Sequence, residues 1–167
     1  MEDLKSGMVY VFKTPPIPAL LLITMTQFPG AVIMPLMPVY ARDVLAVGPM
    51  GLGVMSSAMR VGYLFGALAA SPLRNIKSKG FALGWTGMLW DVAMVNFGFS
   101  RSYPLSLALL FVMGFGGWLH TVFLVTLFQT IPTEVMRGRV MSGFGLIGAG
   151  CPLGFLLGGA LAVAFGF

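Results

Sequence analysis

The chain has 167 residues, of which 57% are hydrophobic and 9% are charged, and its formal net charge is +5. Soluble domains carry roughly 25% charged residues, so this composition excludes a domain with a water-facing surface. The basic residues lie mainly in short loops and do not cluster on one face, which argues against a nucleic-acid partner. The single cysteine, Cys151, lies inside an apolar segment, so neither a disulfide framework nor a cysteine metal site is expected.

Five apolar segments follow a polar lead-in segment, 1–16, which we expect to be cytoplasmic. Each segment is long enough to cross a bilayer, which takes about 20 residues of helix, and none shows the strict alternation of a membrane β-strand. We therefore predict an all-α polytopic membrane domain over 17–167, in which short loops make consecutive helices antiparallel neighbours. The predicted helices are about 17–40, 51–71, 80–100, 104–128 and 141–165.

The first predicted helix contains Pro29, Pro35 and Pro38, with Gly30 beside the first of them. Proline removes a backbone hydrogen-bond donor and kinks a helix. Such breaks are tolerated at membrane depth where they line a cavity or are shielded by protein. The pattern therefore predicts a kinked helix, which is compatible with a role in gating.

The second and fifth predicted helices carry stripes of small residues at four-residue spacing. The stripes are Ala58, Gly62, Gly66 and Ala70 in one helix, and Gly150, Gly154, Gly158 and Ala162 in the other. Small residues let helix backbones approach closely, which is how helices associate in lipid. The stripes therefore indicate packing seams. The alternative is that they are surfaces that slide during a conformational change.

The basic residues are distributed unequally between the two sides of the predicted helices. Seven lie on one side, namely Lys5, Lys13, Arg74, Lys77, Lys79, Arg137 and Arg139, and two, Arg42 and Arg101, lie on the other. Cytoplasmic loops carry the excess of Lys and Arg in membrane proteins. We therefore predict that the N-terminus is cytoplasmic.

Arg60 and Asp91 are the two charged residues inside the predicted helices, each near the middle of its helix. A charge at that depth is costly and usually faces a cavity or pairs with another group. One interpretation is that Arg60 and Asp91 pair and close a helical hairpin. Another gives Asp91 a proton-coupling role and Arg60 a contact with an anionic substrate. Exposure to lipid, with the side chains reaching towards the headgroups, is a third.

His120 lies on the fourth predicted helix and shares a face with Gly116 and Gly117. An intramembrane histidine can titrate near neutral pH, or it can hydrogen-bond a neighbouring helix. Trp90 and Trp118 lie too centrally for an interfacial belt, so they either stack on an aromatic substrate or pack against other helices. We therefore add His120 to Arg60 and Asp91 as candidate residues of a substrate or ion pathway.

Enzymatic chemistry is not expected from this sequence. Of the five acidic residues, only Asp91 lies in a predicted helix, so paired carboxylates are not available within the bilayer. His120 and Cys151 lie on different predicted helices and have no metal-ligand spacing. We predict no enzymatic activity, no metal and no cofactor.

The turn between the fourth and fifth predicted helices carries a family resemblance. The segment IPTEVMRGRVMS, followed by GAGCPLGFLLGGALA, resembles the turn before the eleventh helix of major facilitator superfamily transporters. The opening DLKSGMVYVFKTPPIPALLL is similar to the cytoplasmic lead-in to their seventh span, and MPLMPVYARDVLAVGPMGLGVMSSAMRVGYLFGAL to their seventh-to-eighth connection. The chain resembles in particular the branch of enterobactin-exporter-like and related drug-efflux permeases. It departs from many of them in GALAASPLRNIKSKG, which lacks their acidic residue.

The resemblance implies spans seven to eleven of a larger fold, whose substrate path forms between two six-helix halves. The chain would then need an N-terminal half or a second subunit as its partner. The resemblance also implies secondary active export of a small amphipathic, siderophore- or drug-like compound across the cell (inner) membrane, driven by protons. The alternative is a membrane scaffold or remnant that inserts into the lipid bilayer and packs but has no translocation path.

Glu134, Arg137 and Arg139 form the charged part of the same turn. The residues alone favour an orientation anchor with a local ion pair, since Glu134 precedes Arg137 by three positions. The resemblance adds a second interpretation, in which they form a cytoplasmic gate that holds one state of the transport cycle.

We expect the combined substitution of Arg137→Gln and Arg139→Gln to mix the two membrane orientations, because it removes two of the seven basic residues on the predicted cytoplasmic side. Side-specific labelling of a cysteine introduced in the segment 1–16 measures the orientation. Arg101→Gln, on the other side, is the control and should leave the orientation unchanged. An unchanged orientation with altered transport turnover would contradict the anchor and support the gate.

Overall fold

A computed structural model describes residues 17–25, 28–73, 78–132, 138, 145 and 151–164. All secondary structure among these residues is helical, which confirms the predicted all-helical class for this part of the chain. The α-helices are α1 (Ile17–Met25), α2 (Phe28–Ile33), α3 (Met37–Val39), α4 (Gly48–Leu73), α5 (Lys79–Phe99), α6 (Tyr103–Thr130) and α7 (Cys151–Ala164). Residues 1–16, most of the turn at 133–144, and 146–150 lie outside the described residues.

Two of the described helices are long and apolar enough to cross a membrane. They are Gly48–Pro72 within α4 and Tyr103–Thr130, which is α6. The three longest helices, α4 to α6, lie within a few residues of the segments 51–71, 80–100 and 104–128. The crossing of the bilayer by all five predicted helices stays a prediction.

The first predicted helix, 17–40, is not one regular helix in the structure. After α2 the chain passes through a 3-10 turn (Met34–Leu36) into α3 and then into a π-helical turn (Tyr40–Val44). Pro35 and Pro38 each lie in the first turn of a new element, where a backbone N–H would have no acceptor within that element. The prolines therefore divide the segment into short elements of different pitch, and the helical path continues to Val44.

Helix α6 lies at the centre of the described structure. Helices α4 and α5 both make their main contacts with α6, while α2 packs against α7. The prediction that consecutive helices are neighbours is therefore wrong for α4 and α5, although only residues 74–78 separate them. The apolar residues of α6 extend round its whole circumference, so it can bury faces against two helices at once.

The α4–α6 interface depends on two glycines that face each other. A Cβ atom added to Gly62 would lie 2.9 Å from the backbone nitrogen of Phe115 and 3.0 Å from the Cα of Gly114. A Cβ atom on Gly66, one turn along α4, would lie 2.7 Å from the carbonyl oxygen of Phe115. The two backbones are thus in direct contact, as in other membrane helix pairs with small residues at the crossing.

Buried side chains form two clusters along α6. The cluster towards the C-terminal end of α6 contains Leu20, Ala70, Leu83, Leu119, Phe123, Leu124 and Phe128. The cluster towards its N-terminal end contains Met37, Ala41, Met55, Met59, Ala93, Phe97, Leu110 and Met113. Methionine fills irregular gaps because its side chain is unbranched and flexible, which suits the cluster beside the irregular first segment.

Hydrogen bonds close the end of the bundle where α5 turns into α6. The Tyr40 hydroxyl, in the π-helical turn, donates to the carbonyl oxygen of Phe97 at 2.9 Å and also contacts that of Ser100. The Ser106 hydroxyl donates to Ser100 Oγ at 2.9 Å, and the Tyr103 hydroxyl donates to the carbonyl oxygen of Gly51 at 3.2 Å. These bonds connect the first segment, α4, α5 and α6 at one level.

We expect Gly62→Ala to lower the free energy of unfolding by about 1–3 kcal/mol, because the added methyl group forces two backbones apart. Gly53→Ala is the matched control on the same helix, since a Cβ atom there has no neighbour within 4 Å. It should be neutral or stabilise the helix by about 0.5–1 kcal/mol. Thermal unfolding of the purified variants in detergent measures both, and equal unfolding temperatures would contradict the close crossing.

Candidate functional site: a cavity lined by aromatic residues and methionines

A cavity of about 400 Å³ lies where the first segment, α4, α5, α6 and α7 meet. Its lining includes the methionines Met34, Met37, Met59 and Met113, and the aromatic residues Tyr63, Trp90, Phe97, Trp118 and Phe155. The size suits a small organic molecule, since ligand pockets commonly measure about 300–1,000 Å³. Each of the packed helical segments thus contributes to one concave surface.

No charged side chain lines the cavity among the residues that the structure describes. The polar side chains in its wall are Tyr63, His120 and Thr121. The hydroxyl of Thr121 donates to the carbonyl oxygen of Gly117 at 2.9 Å, so its proton is already used within α6. An ionised ligand would lose its hydration without gaining an opposite charge, which is costly.

Trp90 fills the space between α2 and α6. Its five-membered ring lies against Gly117, where an added Cβ atom would be 2.9 Å from Cδ1. Its six-membered ring lies against Gly30, where an added Cβ atom would be 2.7 Å from the nearest ring carbons. The indole therefore occupies a slot that exists because both facing positions lack a side chain. Across the cavity, Tyr63 and Trp118 pack with their ring centroids 6.0 Å apart.

His120 connects α6 to α5 across the cavity wall. Its Nδ1 lies 3.2 Å from the carbonyl oxygen of Leu83, which can only accept a hydrogen bond. The neutral imidazole therefore carries its proton on Nδ1 and has a free acceptor at Nε2. Gly87 makes room for the ring, because a Cβ atom there would be 3.2 Å from Cε1 and Nδ1.

The Nε2 atom of His120 has no hydrogen-bond partner among the residues that the structure describes. It is the single buried side-chain nitrogen or oxygen of the described residues in that condition, and His120 is only 4% exposed. Leaving such a group unsatisfied costs about 1–3 kcal/mol. A buried group of this kind calls for a specific explanation, of which a functional role is one.

The structure separates the two charged residues that the sequence placed together. Arg60 is exposed on α4 and does not line the cavity, although its neighbours Met59 and Tyr63 do. Asp91 is partly buried on α5, one turn beyond Gly87. Among the described residues the one ion pair joins Arg42 to Asp43, so the Arg60–Asp91 pair does not form. The two side chains do not meet because α4 and α5 each pack against α6.

Asp91 lies close enough to His120 for an electrostatic interaction. Two of the three candidate pathway residues, Asp91 and His120, are therefore brought together, and Arg60 is not. His120 also lines the cavity, whereas Asp91 does not. A ligand in the cavity and the Asp91 carboxyl thus share one neighbour.

The remaining predicted site residues lie in other places. Gly62 and Gly66 are buried in the α4–α6 interface, and Gly154 is buried in α7. Gly158 belongs to α7, but its surroundings are outside what the structure describes. The proposed gate or anchor residues Glu134, Arg137 and Arg139 also lie outside the described residues.

The sequence interpretation missed most of the cavity wall. Met59 and Tyr63 are four residues apart on α4, and Met113, Gly117 and Thr121 repeat the same spacing on α6. The sequence therefore indicates that these residues share a face of their helix. The spacing alone does not distinguish a cavity wall from ordinary packing, because both put such residues on one face.

Metal binding has no support among the described residues, which contain no group of three or more His, Cys, Asp or Glu side chains. The wall instead offers aromatic faces, thioethers and one imidazole acceptor. This arrangement can bind a small organic molecule.

The family model of the transmembrane secretion effectors, MFS_3, matches residues 1–166. The chain therefore belongs to this family of transporters of the major facilitator type, and it is a membrane protein with apolar helices. Comparison with curated proteins and with solved structures gives no significant match.

We expect Trp90→Ala to lower the free energy of unfolding by about 3–5 kcal/mol, because the slot between Gly30 and Gly117 would be left empty. Trp85→Ala is the matched control on the same helix, since Trp85 is 61% exposed. Its loss should be much smaller. Denaturant unfolding in detergent compares the two variants, and equal losses would contradict the packed position of Trp90.

Proposed function

We propose that the protein works in secondary active transport and that the central cavity binds the transported molecule. The observation that carries this proposal is the uncharged cavity at the junction of five helical segments, in a chain that belongs to a transporter family. Transporters of this type bind their substrates near the bilayer midplane, between helices that are often irregular. The broken first segment beside the cavity fits that pattern.

The substrate in this proposal is a small amphipathic, siderophore- or drug-like compound, and the direction is export. The resemblance to enterobactin-exporter-like and drug-efflux permeases supports the direction. The lining supports an organic substrate, because aromatic rings and methionines cover most of it. Arg60 is not among the residues of this lining, so a contact of Arg60 with an anionic substrate is not part of the proposal.

The chain, in this proposal, corresponds to spans seven to eleven of a larger fold and works by alternating access with an N-terminal half or a second subunit. Exposed apolar side chains on several helices support a partner or lipid around them, for example Phe65 on α4, Val92 on α5 and Leu156 on α7. The excess of basic residues supports a cytoplasmic N-terminus in the inner membrane.

Protons are the proposed coupling ion, and Asp91 and His120 are the proposed titrating pair. Both lie in helices around the cavity, and the two groups interact electrostatically. A carboxyl inside a membrane helix commonly serves as a proton relay. A change of charge on Asp91 would act on His120 and, through it, on the cavity wall.

The test uses inside-out membrane vesicles from the host organism, with the chain deleted and then restored. We expect restored vesicles to take up the amphipathic dye Hoechst 33342 when the lumen is acidified, and deleted vesicles not to. Asp91→Asn should lower this pH-driven uptake by about tenfold or more, because a proton relay usually tolerates no neutral amide. Dye fluorescence measures uptake, and collapse of the gradient with nigericin should abolish it.

Asp43→Asn is the matched control, because it removes an acidic residue outside the predicted helices. The hydrogen bond from Arg42 holds the pKa of the Asp43 carboxyl below its usual value, so Asp43 stays ionised at the assay pH. It should leave uptake unchanged. Equal uptake with and without the chain, although the chain is inserted, would favour the non-transporting scaffold. Unchanged pH dependence in Asp91→Asn would eliminate the coupling role.

A further inference from the structure

We propose that a groove between the end of α4 and the start of α5 binds the headgroup of an anionic phospholipid, with Lys79 as its cationic contact. This site is separate from the central cavity, because the two share no lining residue among those described. The proposal requires only that the chain lies in a membrane, as its family membership shows, and it does not depend on the proposed transport.

The groove exists because α4 and α5 do not close against each other. Both helices make their main contacts with α6, which leaves a space of about 310 Å³ between them. A Cβ atom added to Gly80, at the start of α5, would meet no atom within 4 Å, so α5 is not closely packed at that position. The groove is therefore an unfilled recess at one end of the bundle.

The wall of the groove combines one cation with hydroxyl-bearing and apolar residues. Its described lining consists of Ala67, Ala70, Ser71, Lys79, Val122, Phe123 and Thr126. Lys79 is half-buried at the first position of α5, and Ser71, near the end of α4, is exposed and supplies a hydroxyl. Ala70 and Phe123 are buried members of the adjoining hydrophobic cluster and form the packed side of the groove. All three helices thus contribute to the wall.

The charge of the groove favours an anion. In the part of the chain that the structure describes, the one ion pair joins Arg42 to Asp43, so Lys79 has no acidic partner there. The sequence around Lys79 adds none, since residues 71–80, SPLRNIKSKG, contain three basic residues and no acidic one. A half-buried ammonium has lost part of its hydration, which an anionic ligand replaces with a charge-assisted hydrogen bond.

The order of the lining residues along the bundle favours a lipid over a soluble phosphate. Ser71, Lys79 and Thr126 lie close to the ends of their helices. Ala67 and Val122 lie about one turn deeper. A phospholipid has the same order, with its phosphate at the membrane surface and its acyl chains beneath. An inorganic phosphate would leave the apolar part of the groove empty.

The predicted orientation places this groove where anionic lipids are abundant. The side of the membrane that carries most of the basic residues is predicted to be cytoplasmic, and Lys79 lies on that side. Basic pockets between membrane helices on that side bind anionic headgroups in other membrane proteins. The ligand we propose is therefore a phospholipid with a net negative charge.

The experiment measures lipid binding to the purified chain in detergent by native mass spectrometry. The probes are dioctanoyl-phosphatidylglycerol and dioctanoyl-phosphatidylcholine, which share the phosphate and the chains, although only the first has a net negative charge. The occupancy of the first bound lipid gives the preference. We expect phosphatidylglycerol to bind about fivefold more tightly, which corresponds to about 1 kcal/mol.

Substitutions of Lys79 test the cationic contact. Lys79→Gln removes the charge and keeps a polar side chain, so we expect the preference to fall below about twofold. Lys79→Arg keeps the charge and should retain the preference. Arg101→Gln is the matched control, because it removes a basic residue between α5 and α6, at the other end of the bundle, and it should leave the preference unchanged.

A second substitution tests the groove apart from its charge. Ala67→Leu fills the apolar part while Lys79 stays in place, and it should weaken phosphatidylglycerol binding by about fivefold or more, because the acyl chain no longer enters. Ala108→Leu is the matched control, since Ala108 is exposed on α6 and does not line the groove. Equal affinity in Ala67→Leu and the wild-type protein would show that charge alone attracts the lipid, and it would overturn the groove as the site.

A competition with inorganic phosphate distinguishes the two sources of the anion. We expect an excess of inorganic phosphate to displace no more phosphatidylglycerol than acetate of the same ionic strength does. Full displacement would assign the groove to a soluble anion and overturn the lipid. A wild-type protein that binds both lipids equally, or a preference that survives Lys79→Gln, would overturn the proposal as a whole. The wild-type comparison remains decisive even where a variant fails to fold.

Discussion

The contact between the backbones of α4 and α6 is the constraint on which the rest of the structure depends. Gly62 and Gly114 allow it, because a side chain on either would meet the other helix. The same crossing brings Met59 and Tyr63 of α4 opposite Met113 of α6, and these residues form part of the cavity wall. In lipid, where burial of apolar surface gives little drive for association, such close packing supplies much of the stability.

Glycine positions, which have no side chain, also decide where the polar and aromatic groups of the site lie. Gly87 leaves the space through which His120 reaches the Leu83 carbonyl, and the slot for Trp90 has a glycine on each side. Each large ring is thus fixed by a backbone that lies unusually close to it. These two rings consequently have few alternative positions, whereas the methionines of the wall can adjust.

The sequence predicted the helices well but not their arrangement. The apolar segments correspond to α4, α5 and α6, and the small-residue stripe of α4 lies at its contact with α6. That α6 is the main partner of both α4 and α5 could not be predicted, because most residues of α6 are apolar and no face is marked as interior. The position of Arg60 outside the cavity could not be predicted either, because a charge at mid-helix indicates a cavity or partner but not the face on which it lies.

The arrangement of groups around His120 suggests a division of roles that the charged residues alone did not reveal. On the proposed function, the described wall of the cavity binds the substrate without a charged side chain. Coupling to protons must then come from a group outside the wall, and Asp91 occupies such a position beside His120. Because the two groups interact electrostatically, protonation of Asp91 changes the field at the His120 imidazole, which belongs to the cavity wall. Release and proton uptake can therefore be linked through one side chain, without an ion pair to the substrate.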